Sequence, residues 1–147
     1  MSATTEPHLS ADTRGDGWFS IKRRIGWTEV DPSSNYQFSS ALQYVEEAEI
    51  ALFREAGVLG DLYPHLPRTH VTASYVRPAR FDDLITVQVK VSRVGRSSVD
   101  LDFRILLDET VCAHGVLGSA YVDPATGTST PVPEHVRARL GFTHLEA

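Results

Sequence analysis

One long helical stripe, followed by an almost unbroken series of alternating strands, limits this chain to few folds. Phe38, Ala41, Leu42, Val45, Ala48, Leu52 and Ala56 recur at intervals of three and four, the spacing that lines one helix face. Ile50, Ala51 and Phe53 widen the stripe, so something broad, such as a curved sheet, must cover this helix. Ser40 with Gln43 three residues on has the form of a capping box and places the helix start within 37–41. Gly57 follows the last apolar position as a C′ residue.

The strands lie on either side of this helix. Residues 18–30 alternate imperfectly, with an irregularity expected near Gly26. Asp31-Pro32 ends that segment, and the Ser-Ser-Asn that follows favours turns. After a loop over 58–67, residues 68–77 place Val71, Ala73 and Tyr75 on one side and Thr72, Ser74 and Val76 on the other. Residues 84–94 and 99–107 alternate strictly, and a last long strand covers 110–122. Pro133 starts a short helix over 134–140. Short turns between the last three strands favour a meander. The pattern predicts an α+β domain in which an antiparallel sheet of about five strands wraps one long central helix.

Size and charge narrow the function. The 147 residues suit one domain with a self-sufficient core. A net charge of -5 argues against a general nucleic-acid binder. No run approaches the roughly 18 apolar residues of a membrane span, so a cytoplasmic protein is expected. Residues 1–17 read as a disordered leader, 18–141 as the domain and 142–147 as a tail. Cys112 is the only cysteine and reads as a buried thiol. The six histidines lack ligand spacing, so neither a metal nor another cofactor is expected.

Asp31 carries the best case for chemistry. It opens the run to Phe38 that joins a strand to the long helix. A carboxylate just before a helix start sits beside free backbone N–H groups, which can hold a developing oxyanion. The same residue type is also a common turn former before proline, and composition alone leaves that reading open. Glu29 is a rival base on the same side of an extended strand. Asn35 and Tyr36 can touch a substrate from the loop. Arg77, Arg80, Arg93 and Arg96 fall at strand ends and could form one rim for a polyanion. Glu46, Glu47 and Glu49 read as the polar side of the helix, with Glu47 or Glu49 facing a pocket as the alternative.

Three segments resemble the hotdog-fold superfamily, most closely its 4-hydroxybenzoyl-CoA thioesterase-like branch. They are WTEVDPSSNYQFSSALQYVEEA from Trp27, YVRPARFDD from Tyr75 with VGRSS from Val94, and AYVDPATG from Ala120 with the trailing PVPEHVRARL. Together they cover about residues 18–141. The resemblance places the catalytic carboxylate on Asp31 and an oxyanion contact on the backbone N–H of Phe38. It implies hydrolysis of an acyl thioester of coenzyme A or of an acyl carrier protein; because coenzyme A is polyanionic, Arg77 and Arg80 are candidate substrate contacts, with solvated strand ends as the alternative. It also implies a homodimer or homotetramer whose sites lie between protomers. The chain departs from the family pattern at Ser34 (a loop glycine), Phe38 (His or Tyr), Ser40-Ala41 (Asn-Tyr) and Glu49 (Arg). A non-catalytic domain that binds acyl thioesters or assembles with partners is the alternative these departures motivate.

Overall fold

The computed structural model describes residues 8–10 and 17–142. In chain order the elements are β1 (His8–Ser10), β2 (Phe19–Arg24), α1 (Phe38–Glu55), α2 (Leu59–Leu62), β3 (Arg68–Tyr75), β4 (Leu84–Val94), β5 (Ser98–Leu107), β6 (Thr110–Ala120) and α3 (Glu134–Arg139). The strands form one sheet in the order β1-β2-β4-β5-β6-β3, and every pairing is antiparallel. The five expected strands are all present. Most of the expected leader lies outside the described residues; within it, His8–Ser10 pairs antiparallel with β2.

Strict alternation is what turns this sheet into a core. Ile85, Val87 and Val89 of β4 and Val99, Leu101, Phe103 and Ile105 of β5 all point inward and are buried. They meet Tyr44, Val45, Ala48, Ala51 and Phe53, the broad buried face of α1. Ala51 and Phe53 lie beyond the simple stripe and are buried as well, Phe53 packing edge-on against Tyr63 with ring centroids 6.1 Å apart. Arg137 of α3 is buried and donates to Val94 O at 2.9 Å and Gly95 O at 2.7 Å, which ties α3 to the β4–β5 hairpin.

Three local expectations change. The capping box at Ser40 is not formed: Ser40 is buried inside the helix, and the cap is Gln37 (φ -69°, ψ 148°) with no side-chain cap hydrogen bond. The strand from 18 to 30 stops at Arg24 and gives way to a 3-10 turn over Trp27–Glu29. The loop 58–67 contains the short helix α2. Gly57 does take the left-handed conformation, φ +74°, just past the helix.

β3 differs from the other strands. It lies at the sheet edge, and Val71 and Tyr75, on its inner side, are 43% and 44% exposed. Its close approach to β6 depends on Gly115, where an added Cβ would stand 1.9 Å from Thr72 O. Among the described residues no helix is long and apolar enough to cross a membrane.

Candidate active site

The loop between the 3-10 turn and α1 folds into a tight bend around Asp31. Asp31 N–H donates to Asn35 O at 2.8 Å and Ser34 N–H to Asp31 O at 2.9 Å, while Val30 and Tyr36 bridge across the bend. Ser34 reaches φ 67° to make the turn, in the place of the family's loop glycine. The carboxylate caps its own loop in the manner of an Asx-turn. Oδ1 accepts from Ser33 N–H at 2.8 Å, from Asn35 N–H at 3.2 Å and from the Ser33 hydroxyl. Among the described residues Oδ2 has no protein donor. The Ser33 hydroxyl, with the two backbone donors, holds the Asp31 carboxyl below its ordinary range. Asp31 is therefore an anion at neutral pH.

The helix start faces the same space. Gln37 N–H is committed to Glu29 O, and the N–H groups of Ser40 and Ala41 both reach Gln37 O. Among the described residues, Phe38 N–H and Ser39 N–H have no protein acceptor, as the first turn of a helix requires. The Phe38 side chain is 72% exposed.

A cleft of about 360 Å³ opens here, lined by Asp31, Asn35, Tyr36, Phe38, Tyr75, Val76, Arg77 and Pro78. It brings together Asp31, Asn35, Tyr36, Phe38 and Arg77 from the expected set. Arg80 is not among its lining residues: its backbone bridges to Asn35, and its N–H donates to Asp83 Oδ2 at 2.8 Å. Arg93 and Arg96 stand at the opposite end of β4, an 11-residue strand that spans roughly 35 Å. The four arginines do not form one rim. Tyr36 is buried, and burial pushes its hydroxyl up to about 12. Asn35 Oδ1 is buried without a hydrogen-bond donor.

The rival acids are all engaged. Burial raises the Glu29 carboxyl, but Arg23, Gly26 N–H and Tyr44 outweigh it and leave the group lowered. Arg23 clasps Glu29 through two bonds of 2.6 Å, and its Nε reaches Glu47 at 2.6 Å. Glu49 is buried, held by Arg68 at 2.7 and 2.8 Å and by the Tyr63 hydroxyl at 2.6 Å. The larger cavity, about 440 Å³, lies beside this cluster at Glu46, Glu49, Tyr63 and Arg68. Its buried carboxylate is already neutralised by a bidentate guanidinium, whereas Asp31 keeps one oxygen open beside free donors. The smaller cleft is the better place for chemistry.

Tyr75, Val76, Pro78 and Ser33 are the contributors that the sequence reading did not select. Ser33 had a usable signal, because Asp-Pro-Ser-Ser-Asn is an Asx-turn pattern. Tyr75 had none beyond its place on the inner side of β3.

A long helix wrapped by an antiparallel sheet, with a carboxylate loop at the helix start, defines a hotdog-fold domain of the thioesterase kind. The chain belongs to the thioesterase-like superfamily, whose sequence profile matches residues 25–140. That membership supports thioester hydrolysis as the class of chemistry. A 1,4-dihydroxy-2-naphthoyl-CoA hydrolase of Synechococcus sp. (strain CC9605) is 24% identical over 138 residues, covering 87% of this chain and 93% of the relative. Among solved structures, a 1,4-dihydroxy-2-naphthoyl-CoA thioesterase from Synechocystis superposes with a TM-score of 0.74 at 16% identity, over 84% of this chain and 96% of the other. A thioesterase from Thermus thermophilus, in complex with coenzyme A and zinc, gives 0.73 at 23% identity, over 82% and 90% of the two chains.

Proposed function

We propose that the chain hydrolyses an acyl-coenzyme A thioester at the Asp31–Phe38 cleft. The observation that carries this reading is the meeting, in a single cleft, of one open carboxylate oxygen with the residue whose unengaged N–H begins the helix, Phe38. The thioester carbonyl oxygen points at the first turn of α1, where Phe38 N–H stabilises the charge that develops on it. Asp31 attacks the carbonyl carbon or activates the water that does. Its lowered pKa makes it a weak base but leaves it fully ionised, and direct attack needs only the ionised form. Attack by Asp31 would expel the thiolate and leave a mixed anhydride, which water then opens.

Arg77, at the end of the cleft, suits the phosphates of the coenzyme. The unsatisfied Asn35 Oδ1 suits an N–H of the pantetheine arm, if the loop shifts enough to admit it. The aromatic walls Tyr36, Phe38 and Tyr75 favour an aryl acyl group, in keeping with the naphthoyl-CoA substrates named for the relatives. The exposed inner face of β3 and its unpaired edge support a homodimer formed through that strand, with a tetramer as a second level.

The test is thiol release from a panel of aryl, short-chain and long-chain acyl-CoAs and one acyl carrier protein. Hydrolysis of an aryl-CoA that Asp31→Asn abolishes is the expected result. Release only from the carrier-bound thioester would move the substrate to a carrier protein. No release from any of them would leave an acyl-thioester-binding domain.

A further inference from the structure

Tyr75 closes β3 and its ring walls the cleft, yet its hydroxyl has no part in the chemistry above. Its ring is 44% exposed, but its hydroxyl is engaged: Oη donates to the carbonyl oxygen of Phe38 at 2.6 Å. That carbonyl belongs to the first residue of α1, one step along from the Gln37 carbonyl that accepts the first bonds of the helix. An edge strand thus reaches across the cleft to the helix start. Its ring stands 6.3 Å from that of Tyr36, which anchors the same corner.

Two effects follow from this one bond. The peptide unit that ends in Phe38 O carries Ser39 N–H at its other end. A donor on the carbonyl polarises the amide and makes that N–H a stronger donor. Among the described residues Ser39 N–H has no protein acceptor, and it stands next to Phe38 N–H at the helix start. The bond also fixes the first turn relative to β3, where oxyanion donors must hold their place to within about 0.5 Å.

We propose that Tyr75 is a positioning residue for the hydrolysis: its hydroxyl, donated to Phe38 O, steadies the first turn of α1 and recruits Ser39 N–H as a second oxyanion donor. The proposal rests on the Asp31–Phe38 cleft being the hydrolytic site. Burial raises the Tyr75 hydroxyl, so it stays protonated and able to donate through the neutral range.

The experiment compares the full chain, Tyr75→Phe and Asp31→Asn on benzoyl-CoA, with binding of the non-hydrolysable thioether S-benzyl-coenzyme A and thermal unfolding alongside. Tyr75→Phe should lower kcat about five- to ten-fold, the value of one hydrogen bond. KM, thioether affinity and the pH profile should be unchanged, since the thioether has no carbonyl to stabilise. Unchanged kcat in Tyr75→Phe beside an inactive Asp31→Asn would overturn this inference and leave the site standing. A fall in kcat matched by a loss of thioether affinity would also overturn it, marking Tyr75 as a packing residue. Equal turnover by all three proteins would overturn the site assignment as well.

Discussion

The start and the middle of one buried-face helix treat their polar groups in opposite ways. At the start of α1, Phe38 N–H and Ser39 N–H are left without protein partners, and Asp31 keeps one carboxylate oxygen open beside them. Midway along the same helix, Glu49 has 0% exposure and is saturated by Arg68 and Tyr63. A group left unsatisfied at a surface cleft is available to a ligand, whereas a group saturated in the interior serves the fold. The contrast predicts that the two carboxylates separate cleanly in experiment. Asp31 should matter to turnover and little to stability, and Glu49 the reverse.

Asp31→Asn carries the largest expected effect. Loss of the anion should reduce kcat by about 10²–10⁴-fold, while far-UV circular dichroism and Tm remain near those of the parent. Asparagine keeps an oxygen for the Ser33 and Asn35 N–H donors, so the bend survives. A single-turnover reaction in ¹⁸O-labelled water tests the route: label entering Asp31 marks attack through an anhydride. A Tm loss as large as the loss of activity would erase the contrast.

Glu49→Ala is the opposing arm. Removing one partner of a buried pair leaves Arg68 with only the longer contact to Glu46 at 3.6 Å and the Ser119 hydroxyl, and costs about 3 kcal/mol, a Tm drop of roughly 10 °C. Turnover per folded molecule should hold within about three-fold, a barrier change below roughly 0.7 kcal/mol. The buried state of Glu49 was not legible from the sequence, which placed it on the polar side of the helix with Glu46 and Glu47. Its cation comes from β3, 19 residues away, and spacing rules within a helix see only three or four residues. The helix, the order of the strands and the Asp31 bend were legible, because each is encoded in contiguous residues. Tyr75 and the misplaced arginines were not, because strand pairing decides which loop ends meet.

Phe38→Pro cuts more finely within the open end. Proline is favoured at the first helical position, and Gln37 already holds the extended conformation that a residue before proline prefers. The substitution deletes the Phe38 N–H and little else of the backbone. It should lower kcat by about 10²–10³-fold, the usual cost of one oxyanion donor. Phe38→Ala, which keeps the N–H and removes the exposed ring, should change KM more than kcat. Equal kcat in the two variants would mean that the amide does not meet the oxyanion.

The pH profile reports on Asp31 itself, with a smaller effect. Asp31 is lowered chiefly by the Ser33 hydroxyl, so its active anion persists below the ordinary aspartate pKa of about 3.9. The acid limb of kcat/KM should therefore lie below that value, with activity full above it and lost only as pH falls through the lowered pKa. Ser33→Ala removes the leading cause and should move the limb upward, with little change of rate at neutral pH. The measurement is kcat/KM against pH for both proteins, within the range where each remains folded.

Ser34→Gly should produce the smallest change, and it tests whether the bend is held by geometry or by its hydrogen bonds. Ser34 sits at φ 67°, a conformation that costs a residue with a Cβ about 1–2 kcal/mol. Glycine removes that strain but loses more freedom on folding, roughly 0.5–1 kcal/mol. The balance favours glycine by about 0.5 kcal/mol, a rise in Tm of roughly 1–2 °C. The Asp31 carboxylate would keep its Ser33 and Asn35 donors, so kcat should not change. A fall in kcat with a rise in Tm would show that the serine at this position tunes the site, and that the open end of the helix trades stability for the placement of Asp31.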